Sequence, residues 1–193
     1  MKKIELVYKE ILFQAIEKKN KRLTQLELSK KLNVSLSIVN LALKKLKKIN
    51  SVRMQNMGFV VIDIMKILYL WASERNIDKD IVYKTRVEMP VKEIEKIMPN
   101  IVFSVYSAYK FKFNDVPADY SEVYVYCNEE ELGEIKKRFP EKNGNENVFV
   151  LKKYGEYGKT DTIAQIFVDL WNLKEWYADD FLKELEKRIK EEK

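Results

Sequence analysis

The residues best suited to chemistry lie in one short segment, where small polar side chains and lysines recur at helical spacing. Ser37, Asn40 and Lys44 are three and four residues apart, so a helix would place them on one face. Lys48 continues that face by one more turn. An asparagine amide can pair with an adenine edge, a serine allows close approach of the backbone, and lysines neutralise phosphates. This pattern predicts recognition of DNA through the major groove.

The opposite face of the same segment is apolar, and its hydrophobic residues form one stripe: Val39, Ala42, Leu43, Leu46 and Ile49. A helix is also predicted just before this segment, because Thr24 and Glu27 have the spacing of a capping box. Ser35 can cap the second helix after a short turn. Two helices in this arrangement are typical of a helix-turn-helix, whose second helix enters the major groove.

The next residues of the chain predict a β-hairpin, the wing of a winged helix-turn-helix. Asn50 can end the second helix in the left-handed conformation. The segment SVRMQNMGFVVID then has the pattern of two short strands around a turn near residues 56–58. Arg53 and Gln55 would lie near the tip of this wing.

The expected DNA contacts divide by role. The major groove would be read by Ser37, Asn40 and Lys44, and the backbone or minor groove would be touched by Arg53 and Gln55. Phosphates would be bound, partly through helix N-termini, by Thr24, Gln25, Ser35, Lys45 and Lys48. Two other interpretations fit the same pattern: a solvated, lysine-rich helix in a bundle, and a winged helix that binds a protein. A fold does not by itself fix the ligand.

Charge is unevenly distributed along the chain. Residues 1–63 contain 14 Lys and Arg and 5 Asp and Glu, a net charge of +9, whereas the whole chain carries +6. Residues 64–193 therefore carry −3. Abundant lysine and glutamate would also suit a heat-adapted protein, but an even scatter of both would not produce this asymmetry. The positive excess in the first segment predicts salt-dependent attraction to phosphates.

The surrounding patterns predict an α+β chain of two domains. Residues 1–63 would form an N-terminal winged helix-turn-helix DNA-binding domain, with a leading helix over 3–19. Residues 64–193 would form a mixed α/β C-terminal domain. A long helix is predicted over 62–77, and its Trp71 is expected to anchor the winged domain to the C-terminal domain.

The C-terminal domain alternates strand and helix patterns. Strands are predicted over 80–89, 122–127 and 147–154, and helices over 91–98, 129–139, 162–173 and 175–192. Residues 101–113 fit either a helix or a strand, although small residues in the segment favour a helix. In the last helix the inward positions are expected to be Trp176, Phe181, Leu182, Leu185 and Ile189.

Catalysis is not predicted, and no cofactor or metal is expected. The chain has no histidine, which excludes Ser-His-Asp and Cys-His nucleophile systems and His-ligated metals. The segment GEYGKT (155–160) is two residues short of a phosphate-binding P-loop. A carboxylate-only magnesium site could draw on Asp115, Asp119 and Glu122, but these lack the pair of acids alternating on one strand that a nucleotidyltransferase needs.

A cytoplasmic protein without membrane interaction is expected. No apolar run approaches the roughly 20 residues that span a membrane. The N-terminus carries Glu5 and Glu10 where a signal peptide needs an apolar core. The single cysteine, Cys127, excludes an internal disulfide and is interpreted as an ordinary strand residue.

The order of these segments resembles the AbiEi-like antitoxins of type IV toxin–antitoxin systems. The resemblance spans most of the chain and rests on the winged segment and on VIDIMKILYLWASERNI, VFSVYSAYKF, EVYVYC and TDTIAQIFVDLWNLKEWYADDFLKEL. It implies an N-terminal winged helix that binds operator DNA and a C-terminal domain that counters a nucleotidyltransferase-like toxin without a stable complex. It implies no catalytic residues.

The sequence therefore favours a DNA-binding transcriptional regulator, acting on double-stranded operator DNA and on its own operon. Binding as a homodimer, or as two monomers on a repeat, follows from usual operator symmetry. The alternatives are a winged-helix protein-interaction module without DNA specificity and, third, a nucleotide-acting enzyme built on the C-terminal domain.

Overall fold

The computed structural model describes residues 1–155, 158 and 160–191, and the chain is of class α+β, as predicted. It divides into two compact units. The first unit comprises residues 1–75 and 162–168, and the second comprises residues 76–161 and 169–193. Three residues of the GEYGKT segment, Glu156, Tyr157 and Lys159, lie outside the described residues.

Residues 1–75 fold into four helices and a small three-stranded antiparallel sheet. In chain order the elements are α1 (Lys3–Ile16), β1 (Arg22–Leu23), α2 (Gln25–Leu32), α3 (Leu36–Lys48), β2 (Val52–Gln55), β3 (Gly58–Val61) and α4 (Ile64–Glu74). The sheet order is β1-β3-β2, with both pairings antiparallel. The helices and the β2–β3 hairpin were expected from sequence, whereas the two-residue strand β1 was not.

The apolar stripes of the helices form the core of the first unit. On α3 the buried residues are Val39, Ala42, Leu43 and Leu46, while Ile49 is only half-buried. Trp71 of α4, expected to anchor one domain to the other, is fully buried and donates its indole N–H to Glu5 of α1 (3.2 Å). This places Trp71 in the core of the first unit.

Residues 162–168 complete the same unit. The backbone N–H of Ile163 donates to the Glu17 carboxylate at 2.6 Å. The ring of Phe167, which is fully buried, meets Tyr69 edge to face with ring centroids 5.8 Å apart. The first unit is therefore assembled from two stretches of chain that are separated by more than eighty residues.

A mixed four-stranded sheet forms the centre of the second unit. After a 3₁₀ helix (Ile77–Asp80), the elements are β4 (Ile81–Thr85), α5 (Val91–Ile97), β5 (Val102–Ser104), α6 (Val105–Phe113), β6 (Val123–Cys127), α7 (Glu129–Arg138), β7 (Val148–Lys152) and α9 (Ala178–Glu191). Helix α8 (Ile163–Trp171) begins in the first unit and ends in the second. The strand order is β4-β7-β6-β5. Strands β6 and β7 are parallel and are joined by the crossover helix α7, whereas the β4–β7 and β5–β6 pairings are antiparallel. Every residue of β6 is buried.

Two sequence expectations for the second unit need correction. The segment 101–113 is neither one helix nor one strand, because β5 ends at Ser104 and α6 starts at Val105, whose φ is 51°. Trp176, expected to point inward, is 76% exposed. It precedes the first residue of α9 at Ala178 and so lies outside the stripe that the helix buries.

The acids and the thiol that the sequence offered for chemistry have the following surroundings in the structure. Among the described residues, no group of three or more Asp, Glu or Cys side chains could hold a metal ion. Asp115 is paired with Arg188 (2.9 Å), and Glu122 accepts from the Tyr177 hydroxyl. Cys127 is buried, and burial raises the pKa of its thiol to about 11.

No helix in the described part of the chain combines the length and apolar character needed to cross a membrane.

Candidate nucleic-acid interface

The residues that begin and end helices α2 and α3 can be identified from their cap geometry. The Thr24 hydroxyl accepts from the Glu27 backbone N–H (3.2 Å) and the Glu27 carboxylate accepts from the Thr24 N–H (3.2 Å), so the predicted capping box is confirmed. Asn33 ends α2 in the left-handed conformation, with φ of 49°. Ser35 is the N-cap of α3, as predicted, but its side chain makes no cap hydrogen bond.

One face of α3 is polar and exposed. Ser37, Asn40, Lys44 and Lys48 are all exposed, and they lie opposite the buried stripe of the same helix. Within the described residues, neither Lys44 nor Lys48 forms an ion pair. Asn50 follows the helix with φ of 53°, which is the left-handed ending expected from the sequence. The structure therefore brings the four predicted α3 contacts onto one solvent-facing surface.

A hydrogen bond ties the start of α2 to this surface. The Gln25 side-chain amide donates to the Asn40 side-chain oxygen at 3.4 Å. The Asn40 oxygen keeps a second lone pair, and its NH₂ group keeps both donors, so the amide can still make two hydrogen bonds to one base edge. Gln25 therefore holds Asn40 in place without using up its capacity to bind.

Lys45 differs from its neighbours on α3. Its ammonium group lies 2.6 Å from the Glu74 carboxylate of α4. The side chains of this pair are 41% and 25% exposed. Lys45 therefore differs from Lys44 and Lys48, because the Glu74 carboxylate already neutralises the charge of its ammonium group.

The β2–β3 hairpin presents the two remaining candidates. Arg53 and Gln55 are exposed on β2, opposite Val60 and Gly58 respectively. Gln55 is therefore in the last pair before the turn, and Arg53 lies two residues further from the tip. The residue that projects most at the turn is Met57, which is 89% exposed.

Sequence reasoning missed the apolar residues on this surface. Leu41 of α3 is 53% exposed, and Leu36 at the start of the helix is 45% exposed. A signal for Leu41 was present, because its position does not fit the three- and four-residue spacing of the buried stripe.

The α3 surface thus combines small polar side chains, exposed lysines and two exposed leucines on one helix. Comparison with known proteins gives no further information, because the chain matches no protein-family model, no curated protein and no solved structure.

Proposed function

We propose that this chain is a cytoplasmic, sequence-specific DNA-binding regulator of transcription, whose first unit is a winged helix-turn-helix. One observation carries the proposal: Ser37, Asn40, Lys44 and Lys48 lie exposed on one face of α3, while the opposite face is buried. A helix with this division can enter the major groove without exposing its core. On this proposal α3 is the recognition helix and the β2–β3 hairpin is the wing.

The charge of the surface supports a polyanionic ligand. Helix α3 contains four lysines and no acidic residue. Residues 1–75 contain 16 Lys and Arg and 6 Asp and Glu, a net charge of +10. Because Lys44 and Lys48 have no acidic partner in the described part of the chain, their charges are available to phosphates.

The proposed roles follow from the chemistry of each side chain. Asn40, oriented by Gln25, would read an adenine edge, and Ser37 would let α3 approach the bases closely. Lys44 and Lys48 would neutralise phosphates, and Arg53 would reach the backbone or minor groove from the wing.

The test is a gel-shift titration at two salt concentrations. One DNA fragment is the region upstream of the chain's own coding sequence, and the other is an unrelated fragment of equal length. We expect discrete, salt-sensitive complexes that prefer the upstream fragment. We also expect Asn40→Ala to reduce that preference by about 10- to 100-fold, the usual range for losing one bidentate base contact. Equal weak binding to both fragments, or none, would favour the protein-interaction module instead.

The assignment of Lys44 and Lys48 to phosphate contacts gives a second expected outcome. Lys44→Ala and Lys48→Ala should each lower the slope of log affinity against log salt by about 0.9. Each should weaken binding to every DNA sequence by about 5- to 10-fold at roughly 0.1 M salt. Fluorescence anisotropy over a salt series measures both quantities.

Lys45→Ala is the matched control on the same helix. Since Glu74 already balances Lys45, this substitution should change the slope by clearly less than Lys44→Ala does. If all three variants kept the parental slope, the phosphate contacts assigned to α3 would be wrong.

The resemblance in segment order extends the proposal. It suggests that the chain represses its own operon, as a dimer or as two monomers on a repeat, and that its second unit counters a nucleotidyltransferase-like toxin. Co-expression with a nucleotidyltransferase-like protein encoded beside it tests the second part. Rescue of growth that persists in the Lys44→Ala/Lys48→Ala double variant would support an antitoxin activity separate from DNA binding. Absence of any rescue would leave a solitary regulator.

A further inference from the structure

Leu41 occupies a central place on the proposed recognition surface. At 100° per residue, it lies about 40° from Ser37 and about 20° from Lys48 around the helix axis. Asn40, the proposed base reader, lies about 60° from Ser37 on the other side. Leu41 is therefore closer to the middle of the exposed face than Asn40 is, and more than half of its surface is accessible to solvent.

The chemistry around Leu41 defines what it could meet. Ser37, Lys44 and Lys48 share the exposed face of α3 with it, and α3 has no acidic residue. An apolar protein partner would have to desolvate these lysines, which costs free energy when no acid pairs with them. A DNA major groove matches both properties, because it offers phosphates to the lysines and one apolar group, the C5-methyl of thymine.

We propose that Leu41 reads a thymine C5-methyl group in the DNA site, an inference that rests on the proposed function of α3. Consecutive residues on a helix are separated by 1.5 Å along its axis. Leu41 therefore reaches bases within about two steps of the adenine that Asn40 reads, since stacked base pairs are about 3.4 Å apart. The bound sequence contains a thymine at that position, on one strand or the other.

The test removes the methyl group from DNA and the side chain from the protein. The preferred site is first obtained by selection from random double-stranded DNA. Each thymine in it is then replaced singly by deoxyuridine, which keeps the hydrogen-bonding groups and loses only the methyl. We expect one such replacement to weaken binding of the native chain by about 4-fold, the effect of one buried methyl group.

The protein variants test whether Leu41 is responsible for the discrimination between thymine and deoxyuridine. Leu41→Ala should bind thymine and deoxyuridine sites equally, with the affinity that the native chain has for the sensitive deoxyuridine site. Leu41→Met, which keeps an apolar side chain, should retain most of the discrimination. Thermal unfolding followed by circular dichroism should be nearly unchanged in both variants, because Leu41 is exposed.

Three outcomes would overturn the assignment. The native chain could tolerate deoxyuridine at every position, Leu41→Ala could retain the discrimination, or Leu41→Ala could leave all affinities unchanged. In each case DNA binding itself, and with it the proposed function, would stand. Failure of the selection to yield any bound sequence would instead remove the proposed function and this inference together.

Discussion

Replacing Glu5 with alanine is expected to destabilise the first unit by about 3–5 kcal/mol, the usual cost of leaving a buried charge without its partner. Glu5 is 3% exposed and accepts the backbone N–H of Lys2 (2.9 Å) and the indole N–H of Trp71 (3.2 Å). The guanidinium of Arg75, equally buried, lies 3.9 Å away. Alanine would remove all three interactions and leave Arg75 without this carboxylate.

Native-state hydrogen exchange of the α1 and α3 amides measures this loss within the first unit, because exchange reports the free energy of opening of each region. Glu130→Ala, at an exposed acid in the first turn of α7, is the control, and it should change stability by no more than about 1 kcal/mol. Equal losses of stability in the two variants would show that the buried contacts of Glu5 do not stabilise the first unit.

A double-mutant cycle separates the ion pair from the other contacts. Glu5→Gln keeps a hydrogen-bond acceptor for Trp71 but removes the charge, and Arg75→Met removes the guanidinium. If the pair interacts directly, the two substitutions together should cost less than the sum of the single losses by about 1 kcal/mol or more. Strict additivity would assign the stabilisation to the hydrogen bonds from Lys2 and Trp71 alone.

Replacing Gly58 with alanine is expected to destabilise the first unit by about 2–5 kcal/mol, through backbone strain and overpacking together. Gly58 has φ of 114°, a region that L residues rarely adopt. A Cβ there would lie 2.3 Å from the carbonyl oxygen of Leu23. That oxygen belongs to β1, which pairs with β3 at Leu23 and Phe59, so neither strand can move without loss of the pairing.

Gly133→Ala provides a control with the opposite sign. Gly133 lies in α7, where an added Cβ meets no heavy atom within 4 Å. Alanine is favoured over glycine in a helix by about 1 kcal/mol, so this variant should be slightly more stable. Denaturant unfolding of Gly58→Ala and Gly133→Ala measures the change in the free energy of unfolding for each variant. A small effect of the same sign in each would show that β1 tolerates displacement from β3.

The parts of this structure that follow from local chemistry could be predicted from the sequence. The capping box at Thr24, the left-handed Asn50 and the buried stripe of α3 depend on residues a few positions apart. For the same reason the exposed positions of α3 were assigned to the correct face. Whether that face binds DNA is still a prediction, because exposure and charge describe a surface and not its ligand.

The parts that depend on distant residues could not be predicted. Strand β1 exists only because β3 pairs with it, and its two residues carry no pattern of their own. Lys45 looks equivalent to Lys44 in sequence, and Glu74, its partner, is 29 residues away. The exposure of Trp176 follows from where α9 begins, a boundary that hydrophobic spacing does not define closely.

The two stretches of chain that form the first unit are synthesised at different times during translation. Its core includes Phe167, and its hydrogen bonds include one from Ile163, yet both residues are made long after residue 75. A nascent chain that has released its first 75 residues from the ribosome still lacks this part of its own core. The core of the first unit can therefore be completed only when most of the chain has been translated.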